Sequence, residues 1–197
     1  MGMKFTKIPA TTFQELQLNA GILASAFTTA TGTVEESAIL GATSGGISFT
    51  ATPSYTDMGE DVDNCPKNMK ELKRLDSWDI NISGTYVTAN TERAKSLIGA
   101  ADIDSVDTTL VKPRSEISTN DFADIWWIGD YSDKNGATNG GYIAIHLMNA
   151  LSTGGFQIKS GDKSKGQFSF TYTAHFSNAA QETVPFELYI KAGTAES

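Results

Sequence analysis

Residues 78–86, Trp-Asp-Ile-Asn-Ile-Ser-Gly-Thr-Tyr, constrain the fold more than any other stretch. Trp78, Ile80, Ile82 and Tyr86 share one parity, and Asp79, Asn81, Ser83 and Thr85 share the other. A period of two describes a strand with one buried face and one wet face. The chain then enters its one convincing helix. Asn90 can cap it, and Glu92 falls in the first turn, where the helix dipole favours negative charge. Ala94, Leu97, Ile98 and Ala101 follow at i, i+3, i+4 and i+7, a single apolar stripe, and Gly99 suits the helix end.

The same alternation recurs elsewhere. Ile47, Phe49, Ala51 and Tyr55 alternate with Ser48, Thr50, Thr52 and Ser54, and Pro53 argues for an edge position or a bulge. Phe168, Phe170, Tyr172, Ala174 and Phe176 alternate with Ser169, Thr171, Thr173 and His175. Val184, Phe186, Leu188 and Ile190 predict a last strand, with Pro185 again hinting at an edge.

Residues 121–131 and 141–151 differ in containing runs that are apolar at successive positions. Trp126 and Trp127 are adjacent, so a strand would point them to opposite faces. Runs of this kind need cover on both sides, and one helix can supply only part of it. The rest is expected from the arms or from another subunit. Asn135-Gly136 and Asn139-Gly140 are hairpin-turn signals.

The sum is one mainly β domain over 1–197, an antiparallel sandwich or small barrel flanked by one α-helix. Residues 1–35 read as an extended N-terminal arm, 56–77 as a long polar loop and 177–197 as the C-terminal strand and tail. Within the loop, Asp57, Glu60, Asp61 and Asp63 precede Lys67, Lys70, Lys73 and Arg74, acid before base. Loops of this length without a core of their own usually have a function or lack order.

Charge and motifs narrow the function. A net charge of −8 makes a poor clamp for nucleic acid, which needs Lys and Arg. It does not disfavour a protein that lets nucleic acid pass without holding it. Cys65 is the only cysteine, so no intrachain disulfide forms. No apolar run reaches membrane-spanning length, and the first residues lack the apolar stretch of a signal peptide. The opening Met-Gly-Met-Lys-Phe-Thr meets the myristoylation spacing, a pattern too short to carry weight.

Gly-Asp-Lys-Ser-Lys-Gly at 161–166 lacks phosphate-loop spacing and reads as a turn. Fitting a calcium loop around Gly136 puts Tyr131 and Tyr142 at ligand positions, so that reading fails. His146, His175 and a distant Cys65 do not form a metal-ligand set. No G-x-S-x-G elbow is present. Neither a catalytic site nor a cofactor is expected.

Several blocks together resemble the major tail tube proteins of long-tailed, siphovirus-type phages and prophages of Gram-positive bacteria. They are FQELQLNAGIL (13–23), GATSGGISFTATP (41–53), EDVDNCPKNMKELKRLDSW (60–78), DIWWIGDYSD (124–133), HLMNALSTGGFQI (146–158) and VPFELY (184–189). The resemblance implies a β-sandwich-like fold with a flanking helix, assembled into hexameric rings that stack into a tube. It implies a virion tail protein, assembled in the bacterial host cytoplasm. It also implies a lumen through which DNA passes without specific binding, and partners that include further copies, a tape measure protein and tail initiator and terminator proteins.

Three expectations follow. Residues 56–77 bridge stacked subunits through Asp57, Glu60, Asp61, Asp63, Lys67, Lys70, Lys73 and Arg74. A polar strand face lines the channel, either Asp79, Asn81, Ser83 and Thr85 or Ser169, Thr171 and Thr173. The arm carrying Phe13, Leu16 and Leu18 packs on a neighbouring subunit. The competing class is a monomeric β-sandwich that binds glycans through Trp78, Trp126 and Trp127.

Overall fold

A computed structural model describes residues 8–9, 11–12, 15–131 and 140–193. Its centre is β3 (Lys73–Tyr86), where the alternation of the sequence becomes geometry. Ile80, Ile82 and Tyr86 are buried, while Asp79 on the opposite parity is exposed. β3 pairs antiparallel with β2 (Thr43–Asp57) on one side and β9 (Gln167–Thr173) on the other. Gly84 is required where it stands: a Cβ there would lie 2.7 Å from the ring of Phe170, which packs across it with its centroid 4.5 Å from that of Tyr86. The short β8 (Gln157–Lys159) extends this layer beside β9.

The second layer is β6 (Ala123–Tyr131), β7 (Gly141–Ser152), β10 (Phe186–Lys191) and β1 (Ile22–Ala24). β6 pairs with β1 and β7, and β10 pairs with β7. β7 belongs to both layers. Tyr142 to Leu147 pair with β10, whereas Leu151 and Ser152 reach over to β9. The architecture is a mainly β, antiparallel sandwich flanked by one helix. Ile80, Ile82, Tyr86, Phe170 and Tyr172 from one layer form a single core with Leu23, Ile125, Ile145 and Leu147 from the other.

The helix α1 (Thr91–Ile98) closes one end of that core with Leu97. The Oδ1 of Asn90 accepts from the Arg93 amide at 2.7 Å, the expected cap, and Gly99 follows with φ of 84°. Arg93 donates to the carbonyls of Leu40 and Thr88 and lies over the Tyr86 ring. Ser152 Oγ donates to the Leu97 carbonyl at 2.8 Å. One guanidinium and one hydroxyl therefore fix the helix to three separate segments.

Three features depart from the sequence reading. The polar loop is shorter than 56–77, because Thr56 pairs with Arg74 and Asp57 with Lys73, which leaves 58–72 as a hairpin tip. The stretch after the helix contains a small separate sheet, β4 (Ala101–Ile103) with β5 (Val111–Pro113).

The tryptophan strands take their outer cover largely from the arm, one of the two sources expected. Phe27, Val34 and Ala38 pack on Trp126, Ala144 and Ile128, on the face of β6 and β7 turned away from the sandwich core. Finally, the arm does not leave the body throughout. Leu23 and Ala24 are fully buried, and Leu23 and Ala24 pair with Trp127 and Trp126. An aliphatic pair beside two indoles gains more by docking than by solvation, at about 25 cal/mol per Å² of apolar surface removed from water. Phe13, Asn135-Gly136 and Asn139 lie outside the described residues.

Candidate functional site

The two strand faces offered as alternatives are one surface. Residues directly opposite on antiparallel strands share a face. The register places Ser48 beside Ser83 and Ser83 beside Thr171. The next row is Thr50, Asn81 and Thr173, and the neighbouring row joins Thr85 to Ser169. Asp79 pairs with Thr52, and Ser77 with Ser54. The outward face of β2, β3 and β9 is thus a continuous field of hydroxyl and amide groups. It is organised by short side-chain bonds, Thr50 Oγ1 to Asn81 Oδ1 at 2.9 Å and Thr153 Oγ1 to Thr173 Oγ1 at 2.8 Å. Asp79 is its one charge until Lys159, paired with Gln167, at the far rim. The β2 contribution was legible as alternation, but only the register joins it to the other two strands.

Beyond Pro53 and Trp78 the β2–β3 ribbon stands free of the body. Ser54 to Thr56 and Lys73 to Ser77 are exposed on both faces. Four residues past Pro53, at about 3.3 Å each, carry the ribbon roughly 13 Å out before its tip begins. A lone two-stranded ribbon is marginal in water, and this one is fastened by Asp57. Its carboxylate accepts from the amides of Gly59 at 3.0 Å and Asn68 at 2.7 Å. Those two bonds, from Asn68 first, hold the Asp57 carboxyl below its ordinary range. Lys73 Nζ donates to Asn68 Oδ1 on the same clasp. Asp57 and Lys73, expected to bridge subunits, are therefore engaged within their own hairpin.

The remaining expected bridging residues point to solvent. Glu60, Asp61, Asp63, Lys67, Lys70 and Arg74 are exposed, and among the described residues the only ion pair any of them makes is Lys70 with Glu71. Sequence reasoning missed the apolar component of the same ribbon. Tyr55, Met58, Val62 and Leu75 are each at least half exposed. Tyr55, expected on the apolar parity of its strand, is exposed because the ribbon has no layer behind it, and no periodicity marks the other three.

Leu16 and Leu18 are 38% and 44% exposed, although Leu18 donates its amide to the Asp130 carbonyl. The arm is thus attached through its backbone and offers these two side chains outward.

The indole faces needed for glycan stacking are largely engaged. Trp126 is 8% exposed, with the His146 ring stacked on it at 4.0 Å. Trp78 packs against Phe186. Trp127 donates its Nε1 to the Ala20 carbonyl. His146 lies between the Asp124 carboxylate at 3.1 Å and that of Glu187 at 3.7 Å. His175 sits beyond the end of β9, edge-on to Phe122. Among the described residues, no helix is long and apolar enough to cross a membrane. No protein-family model matches this chain, and no curated protein sequence is significantly similar to it.

Proposed function

We propose that this protein is a structural subunit of a phage tail tube, polymerising into stacked rings, and that the outward face of β2, β3 and β9 lines the channel. The observation that carries this reading is the continuity of that face. Ser48, Thr50, Asn81, Ser83, Thr171 and Thr173 form a lysine-free surface across three strands. A wall built this way wets readily yet offers nothing to condense phosphate, so DNA slides past it. Lysines in its place would retain the backbone through counterion release. The long resemblance in sequence blocks supports the same reading.

The free-standing ribbon supplies the second element. Among the described residues its exposed apolar side chains and unpaired charges have no counterpart beside them, and a neighbouring copy offers one. Contacts between unlike patches on identical subunits propagate, either closing as rings or continuing as a filament. In this reading the protein belongs to the virion tail, and its partners are first of all further copies of itself.

Negative-stain microscopy of the concentrated protein, with and without a nucleating tail partner, tests this. Stacked rings with an open centre are the expected result, and discrete particles under every condition would refute it. The channel assignment has its own test in a Cys65→Ser, Asn81→Cys protein. Its new thiol should react with bulky maleimide-PEG in the monomer and become shielded in the assembled tube; equal reactivity in both would put the hydroxyl face outside.

A further inference from the structure

The two ends of the β3 layer carry exposed charges of mixed sign, with an acidic segment at 60–63 ahead of Lys67, Lys70 and Arg74 at the hairpin end and an excess of lysines over Asp162 at the other. At the hairpin end, Glu60, Asp61 and Asp63 are exposed carboxylates without an ion pair among the described residues. At the other end, β9 begins at Gln167 directly after the 160–166 turn, and Phe168 pairs with Tyr86, the last residue of β3. That turn and its flanks hold Lys159, Lys163 and Lys165, all exposed and likewise unpaired among the described residues. Lys159 and Lys165 rim a recess of about 290 Å³ whose other walls include Ser44, Val87 and Ser164.

These ends cannot meet within one molecule. β3 alone, from Lys73 to Tyr86, spans roughly 43 Å at about 3.3 Å per residue, several times the distance over which exposed charges attract at physiological salt. We infer that the acidic segment 60–63 of one copy docks on the lysine-rimmed recess at the 160–166 turn of the next copy. This inference rests on the tail-tube reading and specifies its axial contact. The occupant is a second copy because this chain bears both halves of the complementary pair.

The arrangement also accounts for the division of labour within the hairpin. Asp57 is committed to shaping the tip through Gly59 and Asn68, so the three carboxylates beyond it are presented on a fixed scaffold. The contact is head to tail and leaves a free donor tip at one end and a free recess at the other, so it repeats without limit. It lets subunits carrying a net charge of −8 approach through segments of opposite sign.

Cys65, the only cysteine, lies beside the acidic segment and serves as a built-in probe. Oxidation of a concentrated Ser164→Cys protein should give a ladder of disulfide-linked dimers, trimers and higher species on non-reducing gels, lost when Cys65 is replaced by Ser. Reversal of Lys159, Lys163 and Lys165 to Glu should abolish tubes while leaving the thermal melt unchanged, since all three are exposed. Combining that variant with Glu60→Lys, Asp61→Lys and Asp63→Lys should restore them.

Tubes that form without a ladder, or that survive the lysine reversal, overturn this docking and leave the tail-tube reading intact. Wild-type protein that forms no tubes at any concentration, together with Ser164→Cys protein that forms no ladder, overturns both.

Discussion

Leu23→Ala measures whether the N-terminal arm belongs to its own fold. Leu23 is fully buried, its backbone pairs with Trp127, and its carbonyl accepts from the Leu40 amide at 2.8 Å. Its side chain joins the core shared by both layers. Truncating a leucine held this way costs the transfer of the lost methyl groups plus a cavity that cannot collapse, about 3–4 kcal/mol within the usual 2–5. For a chain of this size that lowers Tm by roughly 10 °C, at about 2–4 °C per kcal/mol.

Leu18, five residues earlier and 44% exposed, is the internal control. Leu18→Ala should cost about 1 kcal/mol or less, because little of the side chain leaves water on folding. Urea titration followed by tryptophan fluorescence reads both. Equal shifts for the two variants would refute the reasoning, since they would mean the arm is not docked in the isolated chain. The same geometry sets the outcome of deleting the arm. Removing 1–27 takes Leu23 and Ala24 out of the interior, so the product should be destabilised and not a folded monomer merely unable to polymerise.

Three further outcomes follow from single contacts. The Asp121 side chain is 1% exposed, accepts from the Ser118 amide and is paired with Arg114, so Arg114→Ala should cost about 3 kcal/mol in urea by leaving a buried carboxylate uncompensated. Asn90→Ala removes the helix cap and should cost about 1 kcal/mol, a Tm drop of a few degrees, read by the same melt. The Asp57 clasp should be intact above the ordinary carboxylate range and lost as pH falls through its lowered pKa. The amide resonances of Gly59 and Asn68 should then shift together below that point and stay fixed in Asp57→Asn, which no longer titrates.

The parts of the fold visible in the sequence were those governed by local periodicity. Ile80, Ile82 and Tyr86 are buried as their parity predicts, and Asn90 and Gly99 bound the helix. Pro53 and Pro185 correctly mark edges, since β2 and β10 each have one paired side. What could not be read depends on partners distant in the chain. Burial of Leu23 and Ala24 follows from Trp127 and Trp126, about a hundred residues away, and nothing near residue 23 announces that pairing. The ribbon reads as loop from Thr56 onward because exposure on both faces erases alternation at Thr56 and Leu75. In the sequence the hydroxyl face is two separate strips, and only register, set by Ser83 opposite Thr171, makes them one.

β7 gives the molecule a mechanical character. Its rungs to β6 and β10 and its last rungs to β9 run across the strand direction. A pull along β7 therefore loads those rungs together and in shear, with no free end from which they could unzip singly. Because the same backbone enters both sheets, the load is handed from one to the other through covalent bonds. Such a body resists stretching along its strands far better than peeling at its edges, and strain applied there will first open the short β1 strip.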